Sequence, residues 1–401
     1  MDSILDKIKF CEECFMPSSR PRVSFNQDNI CNACTYAKNK SEDINWETRE
    51  KELLELLNQH RSKNGEYDCV VPWSGGKDSS SIAHRLKFKY NMNPLLVTFS
   101  PMIPNVVGQK NREHLINLGF DSFFFRPNQK IHKHLARRFF LERGNPKIAW
   151  DAGVNVLPVQ IALAYNIKLI FYAEHGETEY GGKILSKDSS KIRDLSEVLE
   201  NQIGDDPMNW IDDVVTEKDL NPYCYPSIDQ ITSKNIKAYY FGYFHKWSMF
   251  ENYIYLKKNS VPFELAENDR TEGTFTNFDS LDDQIDDLYY YMQYIKFGFG
   301  RAIRDSARLI QNSVISKEEG YHLVKKYDGE FPKKYFKNVI NYLSIKNEEE
   351  FTQIIDQHRN DEVWHKERKS NSEWKLRSKI NNKKEKNITL DEIIQRYNRS
   401  N

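Results

Sequence analysis

The sequence predicts an α/β protein in which helices cover both faces of a parallel sheet. Short apolar runs alternate with helical patterns from residue 67 to about residue 250, and strands separated by helices at this spacing are typical of parallel sheets. Four cysteines stand in two close pairs within the first 34 residues, and helical patterns prevail after residue 260. We therefore expect one separate region before the α/β core in the chain and another after it.

The chain of 401 residues is longer than a usual single domain, so several structural units are expected. We divide it into an N-terminal cysteine segment at 1–45, an α/β domain at 46–260, and a helical region at 261–401 that ends in a charged tail.

Apolar runs predict four strands, with the ranges 68–73, 94–99, 121–125 and 168–172. Amphipathic patterns predict helices in the α/β domain at 46–59, 79–90, 109–118, 130–142 and 154–165, and in the helical region at 281–295, 317–327 and 348–357. The acids of the helix at 281–295 are interpreted as a solvated face, and they are Asp282, Asp283, Asp286 and Asp287. The residues from Asn381 onward are predicted to form a mobile tail.

The overall charge does not favour binding to nucleic acid. The chain carries 58 basic and 58 acidic residues, for a formal net charge of zero, whereas proteins that grip nucleic acid usually present a basic surface. No apolar run is long enough for a membrane helix. Residues 1–10 carry several charges and no apolar run, so no secretory signal is expected. We expect a cytoplasmic protein without a membrane partner.

A glycine loop lies between the first strand and the helix that follows it. Its sequence is Ser74-Gly75-Gly76-Lys77-Asp78-Ser79-Ser80. The glycines let backbone amides approach a ligand closely, and the amides at the start of the next helix favour anions. Lys77 adds a positive charge, and the serines add hydroxyl donors. The loop therefore predicts a polyphosphate site, with Lys77 and Asp78 as catalytic candidates.

The loop does not have the spacing of a Walker A motif. It resembles instead the PP-loop of ATP pyrophosphatases, whose signature is Ser-Gly-Gly-x-Asp-Ser. The resemblance implies that ATP is split into AMP and pyrophosphate, and that Asp78 helps to hold Mg²⁺. Ligands of such sheets bind at the carboxyl ends of the strands, so Thr98, Phe99 and Ser100 are candidates for contact with adenosine. An ordinary loop is an equal alternative for these three.

The pairs Cys11/Cys14 and Cys31/Cys34 have the spacing of a tetrahedral zinc site. Four thiolates would leave no open coordination position, so the predicted zinc is structural. A redox or iron–sulfur role is the alternative. The other two cysteines, Cys69 and Cys224, are interpreted as packed thiols.

Two further groups of residues are candidates. Glu174, at the end of the fourth strand, can bind metal or accept a proton, as can Glu177 or His175; a structural role for His175 is equally open. The residues Tyr180, Gly181, Gly182 and Lys183 are either a substrate loop or a plain turn.

Arg301 and Arg304 follow a Gly-x-Gly turn and are candidates for binding a carboxylate or phosphate of the substrate. The alternative is that they pair with the acids at 282–287.

The order of these features resembles the N-acetyl sugar amidotransferase family of PP-loop enzymes. The matching pieces are the cysteine quartet, the stretch at 71–79, Glu-Tyr-Gly-Gly at 179–182, Leu-Asp-Asp at 281–283, Tyr-Ile-Lys-Phe-Gly-Phe-Gly-Arg at 294–301 and Lys-Tyr-Asp-Gly at 326–329. Residues 173–177, Ala-Glu-His-Gly-Glu, depart from the Gly-Glu-Asn-like start expected there.

The resemblance implies conversion of the acetamido group of a sugar into an acetamidino group, in bacterial pathways for surface polysaccharides and nonulosonic acids. ATP and ammonia would be consumed in the reaction, and Mg²⁺ would be bound. One type of glutaminase begins with a cysteine after Met1, but position 2 here is Asp2. The other type places its cysteine in a Gly-x-Cys-x-Gly turn, and neither Cys69 nor Cys224 has flanking glycines. We therefore recognise no glutaminase centre in this chain. The resemblance implies that ammonia comes from a glutaminase with a cyclase-like companion, similar to the subunits of imidazole-glycerol-phosphate synthase.

Two alternatives remain. PP-loop enzymes that thiolate tRNA also carry cysteine fingers, but the neutral charge and the isolated cysteines disfavour them. A subunit that only senses ATP is disfavoured by the presence of Lys77, Asp78 and Ser79.

Overall fold

The computed structural model describes residues 8–183, 191–194, 204–267, 270–366, 373–380 and 384–400. Five parallel strands form the central sheet in the order β3-β2-β1-β4-β5. The strands are β1 (Cys69–Pro72), β2 (Pro94–Phe99), β3 (Asp121–Phe125), β4 (Leu169–Tyr172) and β5 (Lys237–Tyr240). A parallel α/β fold is thus confirmed.

Helices precede, connect and follow these strands, and helices cover both faces of the sheet. They are α1 (Asn32–Glu42), α2 (Trp46–His60), α3 (Lys77–His84), α4 (Val106–Asn117), α5 (Gln129–Arg143), α6 (Ile148–Ala164), α7 (Gly176–Tyr180), α8 (Ile228–Ser233), α9 (Phe241–Phe244) and α10 (Met249–Lys258). α3 continues as a π-helical turn over Arg85–Lys89.

Alternate residues of the strands build two apolar cores. Val70 of β1 and Ile170 of β4 belong to the core that also contains Phe139. Their neighbours Val71 and Phe171 belong to the core on the opposite face. Because successive side chains of a strand point to opposite faces, a continuous apolar run is buried on both sides. This is why the inner strands are recognisable from sequence.

The fifth strand was not predicted. β5 is only four residues long and lies at the edge of the five-stranded sheet, where it pairs with β4 and makes one antiparallel bridge between Tyr239 and Ile192. Lys237 is exposed and only Tyr239 and Tyr240 are buried, so the strand lacks the continuous apolar run that marks a central strand.

The remaining helices and a small hairpin follow the α/β core. They are α11 (Asp286–Phe297), α12 (Arg301–Gln311), α13 (Lys317–Tyr327), α14 (Phe336–Tyr342), α15 (Glu348–Gln357), β6 (Trp364–Lys366), β7 (Trp374–Leu376) and α16 (Leu390–Ser400). None of the helices in the described ranges combines the length and the apolar character needed to cross a bilayer.

The acids near the start of α11 are not a solvated face, so that interpretation is wrong. Asp283 is 3% exposed and accepts the backbone N–H groups of Met102 and Ile103. Asp286 is 6% exposed and is paired with Lys147. These acids join the C-terminal region to the α/β core, and α11 begins at Asp286 rather than at residue 281.

The predicted tail also differs from the structure. Within the described residues 384–400, α16 packs against an apolar cluster that contains Phe250 of α10. Ile393 of this helix is fully buried. Polar and charged residues together dominate the composition here, but Leu390, Ile393 and Tyr397 lie three and four residues apart and form one apolar face.

Candidate active site

The glycine loop lies at the point where the connections of the sheet reverse direction. β1 and β4 are neighbours, but the chain goes from β1 to β2 on one side and from β4 to β5 on the other. In open α/β sheets this arrangement leaves a crevice at the carboxyl ends of the two strands, where ligands bind. Residues 73–76 follow β1 and residues 173–175 follow β4, so the topology brings the loop and Glu174 to one crevice.

The backbone of the loop requires glycine. Gly75 has φ 94°, and a Cβ atom there would lie 2.8 Å from Cγ of Arg112. Gly76 is the N-cap of α3, and its N–H donates to Ser74 Oγ at 3.3 Å. The unpaired amides of the first turn of α3 therefore begin directly at the loop. Ser80 has a different role, since its hydroxyl accepts the indole N–H of Trp73 at 2.9 Å.

Lys77 is held between two carboxylates. Its Nζ atom lies 2.8 Å from Asp78 Oδ2 and 2.9 Å from Asp279 Oδ1, and the residue is 2% exposed. Burial disfavours the charged ammonium, but Asp279 and Asp78 outweigh it and raise the pKa of Lys77 above its usual value. The lysine is therefore a fixed positive charge beside the loop.

Asp78 and Glu174 form a pair of acids in the crevice. Asn252 donates to Asp78 Oδ1 at 2.7 Å, and the hydroxyl of Tyr180 donates to Glu174 Oε1 at 2.6 Å. Burial, followed by the negative charge of Asp78, raises the pKa of Glu174 to about 7. Two oxygen-rich groups at the end of a phosphate-type loop have the chemistry that Mg²⁺ prefers, and a carboxyl with this pKa can also exchange a proton near neutral pH.

Thr98, Phe99 and Ser100 lie at the carboxyl end of β2 and are all buried. The hydroxyl of Thr98 donates to the carbonyl of Trp73, and the carbonyl of Ser100 accepts the indole N–H of Trp150. The ring of Phe99 packs closely against Gly153 of α6. Their polar groups thus support the loop and α6, and contact with adenosine stays a prediction.

A cavity of about 480 Å³ lies beside the crevice. Its lining includes Tyr180, whose hydroxyl binds Glu174. Its walls come from the N-terminal cysteine segment, α6, α11 and α12. Five of the lining residues are cationic, namely Arg20, Arg22, Lys296, Arg304 and Arg308, and Asp151 is the acid among them.

The predicted substrate loop is divided between two environments. Tyr180 lines the cavity, and its ring lies 3.7 Å from the guanidinium of Arg308. Gly181 and Gly182 contact the N-terminal cysteine segment, since Arg20 donates to the carbonyl of Gly181 and Asn32 to that of Gly182.

The carboxylate of Glu177 fixes the end of this loop. It accepts the backbone N–H of Lys183 at 2.8 Å and pairs with Arg22 at 2.6 Å. His175, a few residues earlier, is buried and hydrogen-bonded to Thr178, as its structural interpretation predicts.

The two predicted arginines also differ in position. Arg304 lines the cavity, and its Nη2 atom lies 3.3 Å from Asp279 Oδ2. Arg301 is 1% exposed, lies outside the lining of that cavity and approaches Asp305 at 3.7 Å and Asp279 at 3.8 Å. The acids that pair with these arginines are therefore Asp279 and Asp305 rather than those at 282–287.

The four N-terminal cysteines converge as predicted. Their sulfur atoms all lie within 4.8 Å of one another, and all four residues are buried and free of disulfides. The Sγ atoms of Cys11 and Cys34 are 3.8 Å apart, and those of Cys14 and Cys31 are 3.7 Å apart. A tetrahedron of Zn–S bonds of about 2.3 Å has edges of about 3.8 Å. The donors therefore fit a metal such as zinc.

Several residues of the site were not recognised from the sequence. Asp279, Asp151, Arg20 and Arg308 contribute charge to the crevice or the cavity. Arg20 precedes Pro21 in an unremarkable loop, and Arg308 lies one turn after Arg304 on α12. The helical spacing of Arg301, Arg304 and Arg308 is the sequence pattern from which Arg308 could have been predicted to belong to the site.

Two comparisons with known proteins found similarity to this chain. Residues 272–381 match the family model described as "LPS biosynthesis protein WbpG-like, C-terminal domain". An uncharacterized protein of Methanocaldococcus jannaschii is 42% identical over 53 residues, which are 13% of this chain and 19% of that protein. The chain thus covers about a fifth of the length of this relative.

The family match includes Asp279, which connects the C-terminal region to Lys77 of the glycine loop, and Arg301 and Arg304, which pair with Asp279. The C-terminal part of the chain is therefore similar to a domain of lipopolysaccharide biosynthesis proteins, and this supports a family of enzymes that make surface polysaccharides.

Proposed function

We propose that the chain is an ATP-dependent amidotransferase that converts the acetamido group of an N-acetylated sugar into an acetamidino group. The observation that carries the proposal is the meeting of the glycine loop and Glu174 at one crevice, beside a cationic cavity. The similarity of residues 272–381 to a lipopolysaccharide biosynthesis domain supports a sugar as the substrate.

The loop at 74–79 would hold the pyrophosphate part of ATP. The amides at the start of α3 and the hydroxyls of Ser74 and Ser79 are donors for its oxygens. Lys77, fixed by Asp279, would offset the negative charge that develops as pyrophosphate leaves.

Asp78 and Glu174 are the residues that would hold Mg²⁺, which when bound would neutralise charge on the phosphates. Both carboxylates lie beside the loop, and each is oriented by one neutral donor, Asn252 and Tyr180 respectively.

The domain division at 46–260 and 261–401 is part of this proposal, since the first region would bind ATP and the second the sugar.

The amide carbon of the acetamido group is a poor electrophile, so the reaction requires that this group be activated first. The oxygen of the acetamido group attacks the α-phosphorus of ATP, the bond to pyrophosphate breaks, and the oxygen becomes part of a good leaving group. Ammonia then attacks the amide carbon, a proton is lost from nitrogen, and AMP departs with the original oxygen. Glu174 is the candidate acceptor of that proton if Asp78 alone holds Mg²⁺, because without a metal beside it its pKa is raised to about 7.

Ammonia would come from a partner. Cys69 is fully buried in β1, and burial raises the pKa of its thiol, so it is poorly suited as a nucleophile. Burial also raises the pKa of Cys224. We infer a glutaminase partner with a cyclase-like companion, and purified chain that hydrolyses glutamine unaided would contradict this part of the proposal.

The activity is tested with ATP, Mg²⁺, an ammonium salt and a set of N-acetylated sugars and sugar nucleotides. AMP should form, and the mass of the sugar should fall by the difference between O and NH. If AMP forms only with tRNA and a sulfur donor, the sugar proposal is wrong. If ATP binds but no AMP forms with any substrate, the chain is a sensor of ATP instead.

Asp78→Ala provides the test at the level of one residue. Loss of this carboxylate should lower the rate of AMP formation at least about 100-fold, because charge on the phosphates is no longer offset. Far-ultraviolet circular dichroism should be unchanged. Asp213→Ala, which removes an exposed acid, is the matched control and should leave the rate as in the wild type. Equal rates in Asp78→Ala and wild type would rule out the proposed role of Asp78.

A further inference from the structure

The cations of the cavity fall into two groups. Arg22 forms two hydrogen bonds with Glu177, and Arg304 lies near Asp279 and Asp305. Arg20, Lys296 and Arg308, in contrast, have no carboxylate within ion-pair distance among the described residues. Arg20 and Lys296 donate to the carbonyls of Gly181 and Arg143.

Arg308 has a buried donor with no partner. The residue is 8% exposed, and its Nε atom has no hydrogen-bond acceptor in the part of the chain that the structure describes. Its guanidinium stacks on the ring of Tyr180 at 3.7 Å. Buried polar groups are normally satisfied, so a buried guanidinium N–H without an acceptor is costly. An anion bound in the cavity would satisfy it.

Arg20 lies close enough to Arg22 and Arg308 for their charges to act on it. Burial, and then the charges of Arg22 and Arg308, lower the pKa of Arg20 to about 10, although Glu177 opposes this change. Burial lowers the pKa of Lys296. Three cations that line one cavity and form no ion pair with a carboxylate of the described residues indicate a site that can receive negative charge.

We propose that Arg20, Lys296 and Arg308 form an anion subsite, in which the N-terminal cysteine segment helps to hold the phosphate or carboxylate of the sugar substrate. The inference rests on the proposed function for the identity of the ligand as a sugar. It gives the cysteine segment a direct part in substrate binding, since Arg20 lies between the two cysteine pairs. The adjacent Tyr180 then connects this subsite to Glu174.

Binding is measured by isothermal titration calorimetry on the full chain loaded with zinc. UDP-N-acetylglucosamine supplies phosphate, N-acetylneuraminic acid supplies a carboxylate, and N-acetylglucosamine is the neutral reference. At least one anionic sugar should bind more tightly than the neutral one, and its affinity should fall with added salt. Which of the two binds more tightly identifies the anionic group. If neither exceeds the neutral sugar, the subsite does not exist.

Arg20→Gln and Arg308→Gln should each weaken binding of that anionic sugar about tenfold or more, because each removes a charge-assisted donor. Lys38→Gln, on the exposed face of α1, is the matched control and should bind as the wild type. ATP affinity should be unchanged in all three. Unchanged sugar affinity in both arginine variants would overturn the proposal.

Arg20→Lys and Arg308→Lys separate a loss of charge from a loss of structure. Each lysine variant should recover part of the affinity, and all variants should retain one zinc-binding site and the melting temperature of the wild type. If sugar binds through these arginines but no AMP forms, the subsite stands and the amidotransferase proposal fails. If AMP forms and KM for the sugar does not rise in the glutamine variants, the amidotransferase stands and the subsite fails.

Discussion

At the scale of single residues, Asp279 connects the glycine loop with the C-terminal region. One of its carboxylate oxygens lies 2.9 Å from Lys77 Nζ, and the other lies 3.3 Å from Arg304 Nη2. Burial raises the pKa of Asp279, but Lys77, Arg301 and Arg304 outweigh it and hold this pKa well below its usual value. A permanently ionised carboxylate among three cations therefore fixes Lys77 beside the loop.

The acid pair gives a prediction on stability and pH. The pKa of Glu174 is raised from 4.5 to about 7, so the folded protein binds this proton more tightly than the unfolded chain does. Its contribution to stability is complete below pH 4.5 and is lost as the pH rises through 7. The wild type should therefore lose more free energy of unfolding than Glu174→Gln between about pH 5 and about pH 8, as measured by urea denaturation.

Glu55→Gln, which removes an exposed carboxylate of α2, is the control and should follow the wild type across the same range. Parallel stability curves for the wild type and Glu174→Gln would show that the ionisation of Glu174 is not coupled to folding.

At the scale of elements, α16 shows how a charged sequence can still form part of the core. Leu390 and Ile393 pack into the cluster around Phe250, and Arg396 pairs with Glu319 of α13 at 2.7 Å. Glu319 is 1% exposed, so the pair lies at the boundary between the two helices. The helix thus covers apolar surface of α10 and α13 that would otherwise be exposed.

Ile393→Ala should lower the free energy of unfolding by about 2–5 kcal/mol, because it leaves a cavity at a fully buried position. Urea denaturation measures the change. Gln395→Ala, on the exposed side of the same helix, is the matched control and should change the stability little. A loss of less than about 0.5 kcal/mol in Ile393→Ala would mean that α16 does not pack in this way.

At the scale of the whole molecule, the N-terminal cysteine segment is built into the C-terminal region. The four cysteines share an apolar cluster with Phe299, Ile303 and Ala307. The side-chain amide of Gln311 in α12 donates to the sulfurs of Cys14 and Cys34 at 3.6 and 3.5 Å. Because α12 also carries Arg304 and Arg308, a metal in the cysteine cluster would fix one wall of the cavity.

Removal of zinc with a chelator should therefore lower the melting temperature of the whole chain. Gln311→Ala should lower the affinity for zinc about tenfold or more, because hydrogen bonds to ligating sulfurs stabilise the bound metal. Competition with a chromophoric chelator measures this affinity. Gln395→Ala should retain the zinc affinity of the wild type. An unchanged zinc affinity in Gln311→Ala would contradict the predicted role of its hydrogen bonds to the sulfurs.

The fold was predicted as far as local patterns allow. Strands β1 to β4 and helices α2 to α6 follow from apolar runs and helical periodicity, with ends that differ by a few residues. Helix α6 begins at Ile148 rather than at residue 154, because its first turn is apolar on several sides. The edge strand β5 and the helix α16 were missed, since a short strand and a charged surface weaken the pattern.

The sequence by itself determined the α/β class, the convergence of the cysteines and the position of the glycine loop, because each is encoded by residues close together in the chain. The tertiary structure decided the rest. Asp279 meets Lys77 across 202 residues, and Arg20 meets the C-terminal arginines in one cavity. Such contacts depend on how the sheet, the cysteine segment and α12 pack together, and no local spacing records that packing.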